Sequence, residues 1–223
     1  MKRTSLVAAA VAIGFTASAA FATSAASAAS AATSGDAALA KFAAAWAKVT
    51  TYTCTIQAHE VLGSRVQDRT YTLRFRKPYD TKVNLTAGDG RGSAVVWNGG
   101  DTVYGHKGGF LAMFKRHLAL ADPQATSIRG TTVAEANFGA LYDHIKALKG
   151  ATIDAAADGS ATKIKIAVAD PSSVQGVTKE LMVLGANDLP VEFDQWAGST
   201  LVKRVSYSDV VLNPKLSDAD FKL

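Results

Sequence analysis

The 223-residue chain has one cysteine, Cys54, and this rules out an internal disulfide framework and any cysteine-cluster metal site. It has four histidines, His59, His106, His117 and His144. None pairs with another at i,i+4 or at a short strand spacing, and no HExxH occurs, so no metal site is expected. Charge of one sign is also scarce. The net charge is +5, and no basic run exceeds two residues, as in Arg76-Lys77 and Lys203-Arg204. A nucleic-acid surface needs a basic patch with interleaved aromatics, which is absent, so nucleic acid is not an expected partner. Beyond the N-terminus no segment approaches the roughly 18 apolar residues of a membrane-spanning helix. A soluble mature protein is therefore expected.

The N-terminus carries its own signal. Lys2 and Arg3 precede an apolar run, Ser5 to Phe15, and the small-residue steps Ala17-Ser18-Ala19 and Ala20-Phe21-Ala22 follow. This pattern reads as a secretory signal peptide over residues 1–22. Its removal takes away Lys2 and Arg3 and no acid, which lowers the net charge to +3. No cysteine follows the apolar run, so lipid attachment at a processed N-terminus is not expected. Residues 23–35, rich in Ala, Ser and Thr, read as a flexible leader. One folded domain is expected over residues 36–223, long enough to bury a sizeable core.

Within that domain Asp36–Val49 has Leu39, Phe42, Trp46 and Val49 at helical spacing, with Asp36 as a fitting N-cap. Alternating segments follow: Tyr52/Cys54/Ile56/Ala58, Tyr71/Leu73/Phe75, and Val83/Leu85/Ala87. Each reads as a half-buried strand. Val95–Trp97 and Thr102–Tyr104 flank Asn98-Gly99-Gly100, a tight-hairpin signal. Phe110–Pro123 places Phe110, Phe114, His117 and Leu118 at helical spacing and ends at Asp122-Pro123. Thr131–Gly150 reads as a helix with a Thr132/Glu135 capping box and a stripe of Phe138, Leu141, Tyr142, Ile145 and Leu148. About five more strands close the chain. The predicted fold is α+β: a single curved antiparallel sheet of about 10–11 strands, forming an unclosed β-barrel wrapped around and covered by about three helices.

The glycine-rich stretch Gly88–Gly109 holds eight of the chain's 18 glycines. It lies between strands rather than opening a helix, and no Gly-Lys-Ser/Thr follows, so it reads as turns rather than a phosphate loop. Gly-x-Ser-x-Gly is absent. Sequence separation does not exclude a Ser-His-Asp triad, but no feature favours one. No cofactor is expected. The aromatic residues Phe42, Trp46, Phe75, Trp97, Phe110, Phe114, Phe138 and Tyr142 point toward one interior, which is either a packed core or a cavity for an apolar ligand.

Several strings, VTTYTCTIQAHEVLGS, RTYTLRFRKP, GSAVVWNGGDTVYGH, DPQATSIRGTTVAEANFGALYDHI, LPVEFDQWAG and SYSDVVLNPKLSDADFKL, resemble a family of uncharacterised exported bacterial proteins. More distantly, the layout of residues 36–223 is similar to the outer-membrane lipoprotein carriers of the LolA/LolB-like superfamily. The features carrying this are the amphipathic first helix, the basic-Pro step Lys77-Pro78, the hairpin Trp97-Asn98-Gly99, and the tail from Leu212-Asn213-Pro214 to Phe221. The resemblance implies a helix-covered barrel that binds an acyl chain. In the carrier LolA an arginine just before the proline holds a helical lid shut. Here that place is taken by Lys77, with Arg76 beside it, and a lysine lacks the planar fork that bonds several carbonyls at once.

The first functional expectation is a non-catalytic periplasmic carrier of a lipid, a lipoprotein acyl chain or another apolar ligand. Its eight aromatics would line the cavity and Arg76 and Lys77 would form a latch. Phe110–Leu120 would be the lid, with Gly108 and Gly109 its hinge. Expected partners are a lipid or acylated lipoprotein and an inner- or outer-membrane envelope protein, and a monomer is favoured. The second is an envelope protein-interaction or stress-sensing module with a packed core on the same scaffold. The third is a hydrolase, which would need a cleft with a nucleophile–base pair.

Overall fold

The computed structural model describes residues 32–223. The expected signal peptide, and the leader up to residue 31, lie outside the described residues. The leader's remaining residues are structured: β1 (Ala32–Ser34) pairs with a strand far along the chain, and Gly35 opens a helix.

Among the described residues two α-helices and twelve strands follow one another as β1, α1 (Gly35–Ala47), β2 (Thr51–Leu62), β3 (Arg65–Arg76), β4 (Asp80–Gly88), β5 (Ala94–Trp97), β6 (Thr102–His106), β7 (Arg116–Ala119), α2 (Phe138–Ala147), β8 (Thr152–Asp158), β9 (Ala161–Ala167), β10 (Lys179–Leu184), β11 (Pro190–Ala197) and β12 (Thr200–Leu212). The strands form one sheet in the order β1-β8-β9-β10-β11-β12-β2-β3-β4-β5-β6-β7, and each recorded pairing is antiparallel. The edge strands β1 and β7 do not pair, so the barrel is unclosed. The long β2–β3 hairpin forms its centre, running in register from Thr51↔Arg76 to Leu62↔Arg65 around Gly63-Ser64.

Strand alternation sets what faces inward. Tyr52, Cys54 and Ile56 are buried from β2, and Leu73 and Phe75 from β3. They join Ile164 and Ile166 of β9 and Val103 of β6 in one core, which brings both wings of the sheet around the helices. Helix α1 contributes Leu39 and Phe42, and α2 contributes Phe138, Leu141 and Ile145. Cys54 is a buried strand residue, and burial pushes its thiol up to about 12.

Helix starts differ from the sequence expectation by local capping. The α1 N-cap is Ser34, whose Oγ accepts from the Ala37 N–H at 3.2 Å, rather than Asp36. The Thr132/Glu135 capping box forms, but it caps a 3₁₀ turn, Val133–Glu135. Helix α2 starts afresh at Asn137, whose side chain accepts from the Ala140 N–H at 3.0 Å.

Phe110–Pro123 is not a helix, so among the described residues there are two α-helices where about three were expected, while the single unclosed antiparallel sheet is present as expected. Gly109–Met113 makes a 3₁₀ turn, and Arg116–Ala119 then pairs with β6, Thr102 opposite Ala119. The open edge of β6 offers unpaired backbone groups that a short segment can satisfy. Leu118 and Leu120 both pack on the core, a period of two rather than 3.6.

Two aromatics that the sequence placed in one interior therefore differ sharply: Phe42 is fully buried and Phe110 is 82% exposed. Phe42→Ala should lower unfolding free energy by about 3–5 kcal/mol, whereas Phe110→Ser should change it by less than about 0.5 kcal/mol. Urea unfolding of both variants checks this.

Candidate functional site

The interior has two unlike halves. Around the α1 end it is solid. The Tyr52 and Phe138 rings stack at 4.6 Å with a 7° interplanar angle, and the Phe138 N–H donates to the Tyr52 Oη at 3.3 Å. Trp46 meets Tyr52, Phe75 and Phe138 at 5.9, 5.6 and 6.1 Å. Tyr142 packs edge-on to Phe42 at 5.6 Å. These rings fill the barrel.

Past this plug the barrel opens into a cavity of about 1250 Å³. Its sheet wall includes Tyr71, Val83, Leu85 and Val95 on one side and Phe193, Val205 and Tyr207 on the other. Ala140, Leu141, His144 and Ala147 of α2 complete it. Burial pushes the Tyr71 and Tyr207 phenols up, so both stay neutral.

Polar side chains gather where the segment 126–131 crosses the barrel. The carboxylate of Glu60, 3% exposed as a residue, accepts from the Arg129 N–H and the Thr131 hydroxyl, both at 3.2 Å. Lys203 Nζ donates to Thr131 Oγ1 at 2.7 Å and stands 3.5 Å from Glu60 Oε1. The Ile128 N–H donates to Gln67 Oε1 at 3.1 Å. Arg129 Nη1 donates to the Val61 carbonyl at 3.0 Å. Side chains of the β2–β3 hairpin and β12 thus hold this segment in place. Burial would push the Glu60 carboxyl up, but Lys203 and donors from Ser127, Arg129 and Thr131 outweigh it and hold the group below its ordinary value.

A second polar group sits behind α2. His144 Nε2 lies 2.8 Å from Glu180 Oε1, which also accepts from Gln195 Nε2 at 2.8 Å, while Glu180 Oε2 is buried without a partner. Among the described residues no group of three or more His, Cys, Asp and Glu is placed to hold a metal ion.

The eight aromatics proposed from sequence do not line this cavity. Phe42, Trp46, Phe75, Phe138 and Tyr142 belong to the plug. Trp97 packs edge-on to Tyr79 at 5.8 Å and donates to the Gly100 carbonyl at 2.9 Å. Phe110 and Phe114 are exposed, at 82% and 61%. Helical periodicity pointed Phe42, Trp46, Phe138 and Tyr142 inward but did not distinguish the filled end of the barrel from the empty one.

The other assigned residues have defined places. Lys77 Nζ donates to the Trp46 carbonyl at 2.7 Å and lies 4.2 Å from the Trp46 ring centroid, so it ties the end of α1 to β3. Arg76 pairs with Asp80 at 2.6 Å and Asp218 at 2.8 Å and lies over the Phe221 ring, fastening the C-terminal segment instead. Gly109 adopts φ +68 with open space around it. Gly108 is a tight packing point: a Cβ there would lie 2.0 Å from the Arg91 carbonyl oxygen. The cavity-lining Arg69, Arg91, Lys107 and Lys203 escaped sequence reasoning. The alternation of β3 puts Arg69 on the same face as Tyr71, a signal that was available.

No family model and no curated protein matches the sequence. Solved structures similar to the chain include a LolA superfamily protein from Nitrosomonas europaea, at 13% identity and TM-score 0.42, covering 86% of this chain and 98% of that one. They include a DUF1329 family protein from Desulfovibrio piger, at 11% identity and TM-score 0.43, covering 85% and 98%. Lipoprotein LppX from Mycobacterium tuberculosis is similar at 15% identity and TM-score 0.44, covering 81% and 98%. Likenesses this distant lend nothing to the functional reading, which rests on the cavity.

Because its folded-state pKa is lowered, ionised Glu60 contributes stability that is fully present above the ordinary Glu value of 4.5 and is lost as pH falls through the folded value. Glu60→Gln should cost about 1–3 kcal/mol at pH 7. The gap to wild type should narrow as pH falls below 4.5, read from urea midpoints across pH.

Proposed function

We propose that the protein is a non-catalytic carrier that holds the apolar chain of a lipid or of an acylated protein in this cavity. The observation that supports it most is the volume, about 1250 Å³ in an otherwise well-packed barrel, above the roughly 300–1,000 Å³ of ordinary ligand pockets. The walls at Tyr71, Val83, Leu85, Val95, Phe193 and Val205 would exclude water from the chain. Each buried methylene would contribute about 0.8 kcal/mol. The alternative, an envelope interaction or sensing module, requires a filled interior, and the cavity argues against that.

The N-terminal pattern of residues 1–22 supports export, so the periplasm is the proposed compartment. Among the described residues no helix is long and apolar enough to cross a membrane. The ligand would enter beside Gly108 and Leu111, which border the cavity. The adjoining exposed Phe110, Met113 and Phe114 would act as an apolar flap turning at Gly109. Lys77 would be the latch that keeps α1 seated while the other end of the barrel opens.

Native mass spectrometry of protein taken from its own periplasm should show a bound lipid, and delipidated protein should bind a fluorescent fatty acid. Ala140→Trp, which fills the cavity from α2, should weaken that binding more than about tenfold with little change in stability. A ligand-free spectrum together with no fatty-acid binding would sink the carrier reading.

A further inference from the structure

Arg69 is out of balance with its surroundings. It projects from β3 into the cavity on the same face as Tyr71, and its Nε is buried with no acceptor. Its one side-chain hydrogen bond is long, from Nη1 to the Thr126 carbonyl at 3.4 Å. A guanidinium carries five donors and does not shed its charge. Among the described residues no carboxylate pairs with it. Glu60 and Asp89 are felt at a distance, but Glu60 is engaged by Lys203, Thr131 and the Arg129 amide. Burial lowers the Arg69 pKa, so the site disfavours the charge it must carry.

The neighbourhood adds to this. The turns at Gly88–Gly92 and Lys107–Gly109 pack against each other through glycine and place Arg91 and Lys107 on the same cavity. Neither side chain has an ion-pair partner among the described residues. From Arg69 the wall becomes apolar at once: Tyr71 is next on the same face, and Leu85 stands opposite Tyr71 on β4. A half-buried cation, its Nε without an acceptor, thus adjoins an apolar trough.

We propose that Arg69 binds the anionic head of the cavity's ligand, a carboxylate or phosphate ester at the end of an acyl chain, with Arg91 and Lys107 adding positive potential at the rim. This deepens the carrier reading and rests on it. A planar head group would take paired hydrogen bonds from the guanidinium fork. The chain would run from there over Tyr71 and Leu85.

The test is calorimetric titration of the delipidated full chain with palmitate, palmitoyl lysophosphatidate, methyl palmitate and inorganic phosphate. Wild type should bind the two anionic amphiphiles at least about tenfold more tightly than the methyl ester, and the tighter of the two identifies the head. Arg69→Gln should abolish that preference without weakening the methyl ester, whose binding also reports that the variant is folded. Arg69→Lys should keep part of the preference. Equal wild-type affinities for palmitate and its methyl ester overturn the proposal, and this comparison needs no variant. So does a preference that survives in Arg69→Gln, with the cavity reading left standing. Displacement of palmitate by millimolar inorganic phosphate would reassign Arg69 to a free anion. Failure of every amphiphile to bind overturns the carrier reading itself.

Discussion

The stack of Phe138 on Tyr52 fixes everything else in this barrel. It joins the first turn of α2 to the central strand β2 by ring contact and by the bond from the Phe138 N–H to the Tyr52 hydroxyl. A single curled sheet leaves its concave face bare unless something is driven into it. Here the stack drives in α2, and Trp46 and Phe75 close around it. With its first turn anchored, α2 projects Leu141 and His144 past the filled region. The plug is therefore what makes the rest of the interior a cavity with a defined floor.

Keeping that space open has an energetic cost, and the structure shows what offsets it. Glu60 and Glu180 are almost wholly buried on the inward side of the sheet, where a lone carboxylate would be strongly unfavourable. Glu60 is balanced by Lys203 and by donors of the crossing segment, and Glu180 Oε1 is hydrogen-bonded with His144 and Gln195. These polar groups also do structural work. Each ties a covering element to the barrel wall without filling the interior, which apolar packing alone would do. Arg69 is the exception: it is half-buried, its Nε has no acceptor, and among the described residues no carboxylate pairs with it.

Much of the fold was legible in the residues. Alternation at Tyr52/Cys54/Ile56 and Tyr71/Leu73/Phe75 identified strands because side-chain period in a strand is fixed by geometry. The spacing of Leu39, Phe42 and Trp46 identified α1 in the same way. Phe110–Leu120 was misleading because four apolar or aromatic residues in eleven fit a helix, while the deciding factor was the unpaired edge of β6, the preceding strand, which lies outside the segment itself. The candidate site was less legible. Phe42, Trp46, Phe75, Phe138 and Tyr142 face inward as their spacing says, yet they line the packed end, while Phe110 and Phe114 are exposed. The cavity is lined by small residues such as Ala58, Val95 and Ala140, by Tyr71, Phe193 and Tyr207, and by the cations Arg69, Arg91, Lys107 and Lys203.

By itself the sequence determined an α+β barrel from a single curved antiparallel sheet, with no disulfide framework. These follow from residue count and from periodicities of two and 3.6, which are local properties of the backbone. Tertiary structure alone decided where the barrel is full and where it is empty. It decided that Lys77 ties down α1 while Arg76 fastens the C-terminal segment, and that Arg69 faces the cavity with no paired carboxylate among the described residues. Each of these depends on which groups from distant strands share one small volume, and volume and charge balance are sums over neighbours that no local stretch of chain contains.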